Sequence, residues 1–305
     1  LGDVYKRQDE ELAHRVRIGT HLRNGPRVLG QWLSANVEPR VVLSGDGAFL
    51  AMDGRAGEMR VIRASDLKPA CPPIAVTGVD KSIPRLPRLR PGRAELLTVG
   101  PDGAILWNVR TGGFVREFPF PALFVANFNQ DGSLLALGGG GGAIRVIDME
   151  TGDTIHELRK RDANVKTLAF SPDGDLLCCA SGGRELETWN LEDGSLLHRI
   201  ALPSRTDKAA FSPDGRMIVT TSHPVSCRVW DARTGEAVSP VMKHKMCWSA
   251  TFTPDGNHVV SCGLKSTARI WNPANGNSRT KSLVGAPEEM FMNAVFSHDG
   301  MMVGI

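Results

Sequence analysis

Residues 209–235 read AAFSPDGRMIVTTSHPVSCRVWDARTG. Two anchors, Phe211 and Trp230, stand nineteen residues apart, and each is followed by a turn ending in glycine, at Gly215 and at Gly235. Between the turns lie Met217 to Ser222 and Cys227 to Trp230, runs rich in Val, Ile and Thr that are bounded by chain breakers and too short for helices. The same unit recurs about every 41 residues, with anchor pairs Leu43/Ile62, Arg88/Trp107, Phe128/Ile147, Phe170/Trp189, Phe211/Trp230 and Phe252/Trp271, and Phe296 opening a seventh. Self-similarity at that period marks a repeat architecture, because one unit cannot bury its own apolar faces without neighbours.

The punctuation recurs with the anchors. After the first stands Ser-Pro-Asp-Gly (171–174 and 212–215), Thr-Pro-Asp-Gly (253–256), Asn-Gln-Asp-Gly (129–132), Ser-Gly-Asp-Gly (44–47) or Ser-His-Asp-Gly (297–300). Proline presets φ, aspartate hydrogen-bonds the local backbone and glycine accepts a positive φ, which is hairpin chemistry. Five residues after the second anchor come Gly112, Gly152, Gly194, Gly235 and Gly276. Each unit therefore reads as three inner strands, a turn and a fourth, outer strand.

Four-stranded units of about 40 to 45 residues repeated around an axis form the blades of a β-propeller. Trp230-Asp231, with Trp107-Asn108, Trp189-Asn190 and Trp271-Asn272 one substitution away, resembles the signature dipeptide of the WD40 family over residues 15 to 305. The resemblance implies an all-β propeller of about seven four-stranded blades, or a truncated array. Blades of that family often tie their strands with a buried Asp, His, Ser/Thr and Trp network. Here His244, Ser261 and Trp271 are present, Lys265 stands where the acid is expected, and Pro101, Gly141, Gly183 and Pro224 occupy that place elsewhere. A network without its acid forfeits cooperative strengthening. Apolar stacking is thus expected to carry the stability, with Trp107, Trp189, Trp230 and Trp271 in the core. Arg88 at an anchor and the proline-rich stretch from Pro69 to Pro91 point to a long loop early in the chain.

The 305 residues, 41% hydrophobic and 23% charged, supply the core of one large domain. No apolar run reaches the roughly eighteen residues needed to cross a bilayer, so no membrane contact is expected. A net charge of +3 offers no clustered basic footprint for nucleic acid. The six cysteines, Cys71, Cys178, Cys179, Cys227, Cys247 and Cys262, lack C-x-x-C spacing and fall mostly in predicted strands, which favours reduced, buried thiols in a cytoplasmic protein without metal. Residues 1–14 fit no repeat and read as a tail, a linker or a scar, with the propeller from 15 to 305. Residues 15 to 33 read as the last two strands of a preceding blade; joined to the strands after Phe296 they would complete a seventh. Truncation of a longer array explains the same pattern.

Tests for catalytic chemistry come back empty. Gly138 to Gly142 join two strands rather than a strand and a helix, so the run is read as a hairpin connection, not a phosphate loop. His156 and His198 share a repeat position on the outermost strand, where a solvated edge is expected. No Gly-x-Ser-x-Gly elbow and no recurring carboxylate pair appears. The competing class is a propeller hydrolase or lactonase with a site at the central channel, but the positions before the first anchors read Asn127, Ala169, Ala210, Thr251 and Val295, which form no ligand ring.

The remaining reading is a binding surface. By the family resemblance, partners dock on the end carrying the loops between blades and between second and third strands. These loops hold Lys160, Arg161, Arg205, Lys243, His244 and Lys245, then Arg184 and Lys265. The plain reading is solvated loops; the sharper one is an acidic protein or peptide partner. The expectation is a non-catalytic scaffold without cofactor, similar to the WD40 arrays of bacterial multidomain signalling proteins, in which a propeller is joined to a kinase module.

Overall fold

A computed structural model describes residues 14–22, 25–34, 41–44, 46–53, 58–75, 87–159, 164–181, 183–206, 208–222, 226–245, 247–263, 267–278, 283–284, 295–296 and 303–304. Six four-stranded antiparallel sheets follow one another along the chain, each ordered as in sequence. Blade 1 comprises Val41–Leu43, Phe49–Asp53, Glu58–Arg63 and Ile74–Ala75; blade 2 comprises Arg88–Leu89, Glu95–Val99, Gly103–Asn108 and Phe114–Pro119. Blade 3 is built from Leu123–Phe128, Leu134–Gly139, Ala143–Asp148 and Thr154–Arg159, and blade 4 from Thr167–Phe170, Leu176–Ala180, Glu185–Asn190 and Leu196–Ala201. Blade 5 holds Ala209–Phe211, Met217–Ser222, Ser226–Asp231 and Met242–Lys243, and blade 6 Ser249–Phe252, Val259–Gly263, Thr267–Trp271 and Leu283–Val284. Two hairpins flank them, His14–Leu22 with Gly25–Ser34 and Val295–Phe296 with Val303–Gly304. No α-helix occurs among the described residues, so none is long and apolar enough to cross a membrane.

Backbone register explains the anchor spacing. The first anchor of each blade pairs with a residue seven further on, which in turn pairs with the second anchor: Phe128 with Leu135 and Ile147, Phe170 with Leu177 and Trp189, Phe211 with Ile218 and Trp230. Leu135, Leu177 and Ile218, the middle members, are fully buried. One assignment is corrected here. In blade 2 it is Leu89, not Arg88, that pairs with Leu96 and through it with Trp107. The hairpin between Leu96 and Trp107 is one residue shorter than its counterparts, so the nineteen-residue spacing lands one position early. Leu89 is buried, and Arg88 falls into the row of Asn127, Ala169, Ala210 and Thr251.

Both turn families work as their residues dictate. In blade 4 the Ser171 hydroxyl donates to Asp173 Oδ1 and accepts the Leu176 amide at 2.9 Å, while Asp173 accepts the Asp175 amide at 3.2 Å. Ser212 and Asp214 repeat the arrangement in blade 5. At the second turn Asp231 Oδ1 accepts the amides of Arg233 and Thr234 at 2.9 and 2.8 Å; Asn108 does the same for Arg110 and Thr111 at 2.9 and 3.2 Å. Only one acceptor oxygen is used, which is why Trp-Asn serves as well as Trp-Asp.

Between blades the packing is apolar, in clusters that draw residues from two adjacent sheets. Trp189, Trp230 and Trp271 are buried and Trp107 is half-buried. A second seam runs further out and overturns the expectation of a solvated edge at His156 and His198. These rings are half-buried against the turn glycines of the following blade: a Cβ on Gly194 would stand 2.6 Å from His156 Nδ1, and one on Gly235 2.9 Å from His198 Cδ2. His156 also donates from Nε2 to the Leu191 carbonyl at 2.7 Å. Arg116 against Gly152 and Pro240 against Gly276 extend the row. The fourth strand is outermost, yet its side chains at this position lie along the seam rather than in water.

The glycine run of blade 3 forms a single 3₁₀ turn, Gly140–Gly142, linking two strands. A Cβ on Gly138 would strike Val165 Cγ1 at 2.6 Å and one on Gly139 the Ala122 carbonyl at 2.5 Å. These two glycines are therefore accounted for by close approach of neighbouring loops. The long loop expected between Pro69 and Pro91 falls largely on residues 76–86, outside the described set.

Candidate partner interface

Antiparallel order within every sheet sorts the connections into two ends. Turns after the first and third strands lie at one end, which we call the turn end. Loops after the second strand and between blades lie at the other, the loop end, where the sequence places its candidate residues.

Arg184 is exposed in the loop between the second and third strands of blade 4, its carbonyl accepting the Leu202 amide at 2.8 Å. Arg205 is exposed in the connection from blade 4 to blade 5, Lys243 at the end of the fourth strand of blade 5, and Lys245 in the connection from there to blade 6. The Lys243 carbonyl accepts Arg269 Nη1 at 3.2 Å, which holds that segment to the next blade. The structure thus brings Arg184 and Arg205 onto one pair of adjoining loops and Lys243 and Lys245 onto the next. Lys166, also exposed and missed by the sequence reading, joins them. Lys160, Arg161 and Lys265 lie outside the described residues.

His244 leaves this set. It is only 2% exposed, with Nδ1 2.6 Å from the Ser261 hydroxyl and Nε2 2.9 Å from Thr267 Oγ1, while Trp271 Nε1 donates to Ser261 Oγ at 2.7 Å. Thr267 supplies the partner that the sequence sought at position 265: a hydroxyl in place of the family's acid, two residues further on. Burial, with the Arg269 charge nearby, pushes the imidazole down to about 4. The ring is therefore neutral at pH 7 and acts as a strut beneath the loop that displays Lys243 and Lys245.

The turn end has the opposite character. Asp131, Asp173, Asp214 and Asp255 are exposed at one repeat position and held ionised below the ordinary carboxylate range. A side-chain hydrogen bond is the leading cause in each case, from Ser133, Ser171, Ser212 and Thr253 respectively. For Asp255 the value falls to about 2. Carboxylates also stand at the second turns, at Asp148, Asp193 and Asp231. Among the described residues exposed carboxylates outnumber cations at the turn end, where Lys68, Arg93, Arg110, Arg216 and Arg233 are also exposed, and cations outnumber carboxylates at the loop end, where Asp102 and Glu185 are exposed.

Among the described residues no three His, Cys, Asp or Glu are grouped to hold a metal ion. All six cysteines are free and buried; desolvation pushes the Cys178 thiol up, and that of Cys262 up to about 12. Buried thiols of this kind are inert rather than nucleophilic.

Comparison with known families matches the model described as "WD domain, G-beta repeat" at residues 152–190 and 238–272. Each match runs from the fourth strand of one blade through the third strand of the next and ends on a Trp-Asn pair. No curated protein matches the chain significantly. The two matched stretches support a WD40-repeat family for this chain.

Proposed function

We propose that this protein is a non-catalytic interaction scaffold whose loop end receives an acidic protein or peptide segment. The observation that carries the reading is the excess of exposed cations at the loop end, Arg184, Arg205, Lys243 and Lys245 among them, against an excess of exposed carboxylates at the turn end. WD40 repeats generally mediate protein–protein contacts, and loops carried on a rigid scaffold are where such contacts concentrate. Clustered cations speed encounter with an acidic partner and make it salt-dependent. A role as one module of a larger signalling protein, cytoplasmic and joined to a kinase, accords with this reading.

Capture from cell extract at rising ionic strength, with cross-linking and mass spectrometry, tests it. Expected is a partner that cross-links through acidic segments to the loop end and is released by salt. Partners held only at the turn end, or indifferent to salt, would contradict the reading. We also propose that the two terminal hairpins form halves of one seventh blade. Deleting residues 296–305 should then expose an edge and promote aggregation; a deletion variant that stays monomeric with the parent's melting temperature would refute closure.

A further inference from the structure

Blade 4 departs from its neighbours at buried positions. The residue before the second anchor is Val61, Leu106, Val146, Val229 or Ile270 in the other blades and Thr188 here, and the Thr188 hydroxyl is buried with no hydrogen-bond partner. Five residues before the first anchor stand Leu123, Val165 and Cys247 in blades 3, 4 and 6; on the way from blade 4 to blade 5 that place falls to Thr206, whose Oγ1 is likewise buried and unpaired. His156 Nε2 reaches the Leu191 carbonyl, whereas Nε2 of His198, its counterpart one blade on, has no partner. Trp189 Nε1 is a fourth such atom. Blades 2 and 3 add one guanidinium nitrogen each, on Arg116 and Arg145, the latter 3.6 Å from Glu157. Glu187, fully buried and 2.8 Å from Arg199 Nε, stands where blades 3, 5 and 6 carry Arg145, Arg228 and Arg269.

Each buried polar atom left unpaired forgoes a hydrogen bond that it makes with water once its segment opens, and a buried charge pair carries a desolvation cost. In a repeat array stability is the sum of each repeat's own terms and its interfaces with neighbours, so a repeat that concentrates such costs opens before the rest. Among the described residues, Thr188, Trp189, His198 and Thr206 place these costs on the third and fourth strands of blade 4 and on the connection leaving it. The same segments carry two of the loop-end cations. Arg184 precedes the third strand, Arg205 lies in the connection, and two backbone bonds tie these stretches together: the Leu202 amide to the Arg184 carbonyl at 2.8 Å and the Thr206 amide to the Gly183 carbonyl at 3.0 Å. Opening of blade 4 breaks both bonds and separates the two cations.

We propose that blade 4 opens as a unit while the rest of the molecule stays folded, and that an acidic segment spanning Arg184 and Arg205 holds it closed. The second half rests on the docking reading given above; the first stands without it. Docking then selects the closed blade, and the affinity of the loop end is set in part by the fraction of molecules in which that blade is shut.

Thiol labelling of the intact, folded chain tests both halves. Cys178 and Cys179 in blade 4, and Cys227 and Cys262 in blades 5 and 6, are all fully buried, so N-ethylmaleimide reaches each of them through an opening. Where reclosing outpaces labelling, the rate follows the population of the open form. Expected, by peptide mapping, is labelling of Cys178 and Cys179 at least roughly tenfold faster than that of Cys227 and Cys262, about the factor of one unpaired buried polar group. Its urea dependence should be shallower, because one blade exposes less surface than the whole chain. Thr188→Val, which restores the apolar side chain of the other blades, should slow labelling of Cys178 about tenfold. Poly-L-glutamate at low salt should slow it too, and Arg184→Ala with Arg205→Ala should remove that protection. Equal rates at the four thiols, or a Thr188→Val variant that labels as the parent does, would overturn the opening. Poly-L-glutamate that binds without slowing Cys178 would overturn the coupling alone; if it does not bind, the coupling falls together with the docking reading, and the thiol ratio still decides the opening.

Discussion

Replacing Cys179 by serine should stabilise this protein, although it removes a buried side chain that is fully shielded from solvent. In three blades the indole N–H of the repeat tryptophan donates to a hydroxyl on the second strand: Trp107 to Thr98 at 2.8 Å, Trp230 to Thr220 at 2.9 Å and Trp271 to Ser261 at 2.7 Å. Cys179 occupies the corresponding position in blade 4, and Trp189 Nε1 is buried with no hydrogen-bond partner. Leaving a donor so costs about 1–3 kcal/mol, and a neutral hydrogen bond contributes a net 0.5–1.5, about 1 on average. Burying a hydroxyl in place of a thiol offsets part of the gain, so the expected net is about 1 kcal/mol, or about 2 °C in melting temperature for a domain of this size. Urea denaturation of Cys179→Ser beside the parent measures it, and the Trp189 indole proton resonance reports whether the bond forms. Thr220→Ala is the mirror experiment: it orphans the Trp230 indole and should cost about 1–2 kcal/mol. A destabilised Cys179→Ser variant with a shifted indole resonance would show that the hydroxyl is not worth its desolvation here, and the reasoning would fail.

Three further outcomes follow from the same packing. Trp230→Ala removes an indole that is only 5% exposed between blades 4 and 5 and should cost about 3–5 kcal/mol in denaturant titration; a loss below about 1 kcal/mol would place the ring outside the core. Because the folded-state pKa of His244, about 4, lies below its ordinary value, the unfolded chain binds the extra proton. Stability should therefore be complete above about pH 6.5 and fall by about 3 kcal/mol as pH drops to 4. His244→Gln should flatten that window, and an unchanged pH profile would contradict the assignment. Gly194→Ala, at φ +72° with its Cβ directed at His156, should cost about 2 kcal/mol; adding His156→Ala should recover the steric part only, and full recovery would mean that backbone conformation contributes nothing.

The anchors, the Asp-Gly turns and the strand count per blade were legible because each rests on local chemistry: a proline-preset φ, a side-chain acceptor, a period-2 apolar run. Arg88 was misplaced because spacing between anchors tolerates a one-residue change in an intervening hairpin. The seven-residue interval from Leu89 to Leu96, equal to that from Phe128 to Leu135, was the signal that resolves it. The seam of His156 and His198 was missed for a different reason. Its partner glycines sit one repeat ahead, and whether a side chain points along a blade face or into water depends on how blades stack, which no single repeat encodes. The same holds for Thr267: strand position brings its hydroxyl to the His244 ring, whereas alignment by loop suggested position 265. Loop cations were readable as exposed, and the structure adds their separation from the aspartates at the opposite end.

The most direct measurement is a two-ended charge reversal. Arg184, Arg205, Lys243 and Lys245 changed together to Glu form one variant, and Asp131, Asp173, Asp214 and Asp255 changed together to Lys the other, each compared with the parent for partner capture at low and high salt. The account predicts that the first loses the captured partner while retaining the parent's β-sheet circular dichroism spectrum and cooperative unfolding, and that the second retains the partner. Capture by the loop-end variant at the parent's level and salt sensitivity, or loss confined to the turn-end variant, would contradict it.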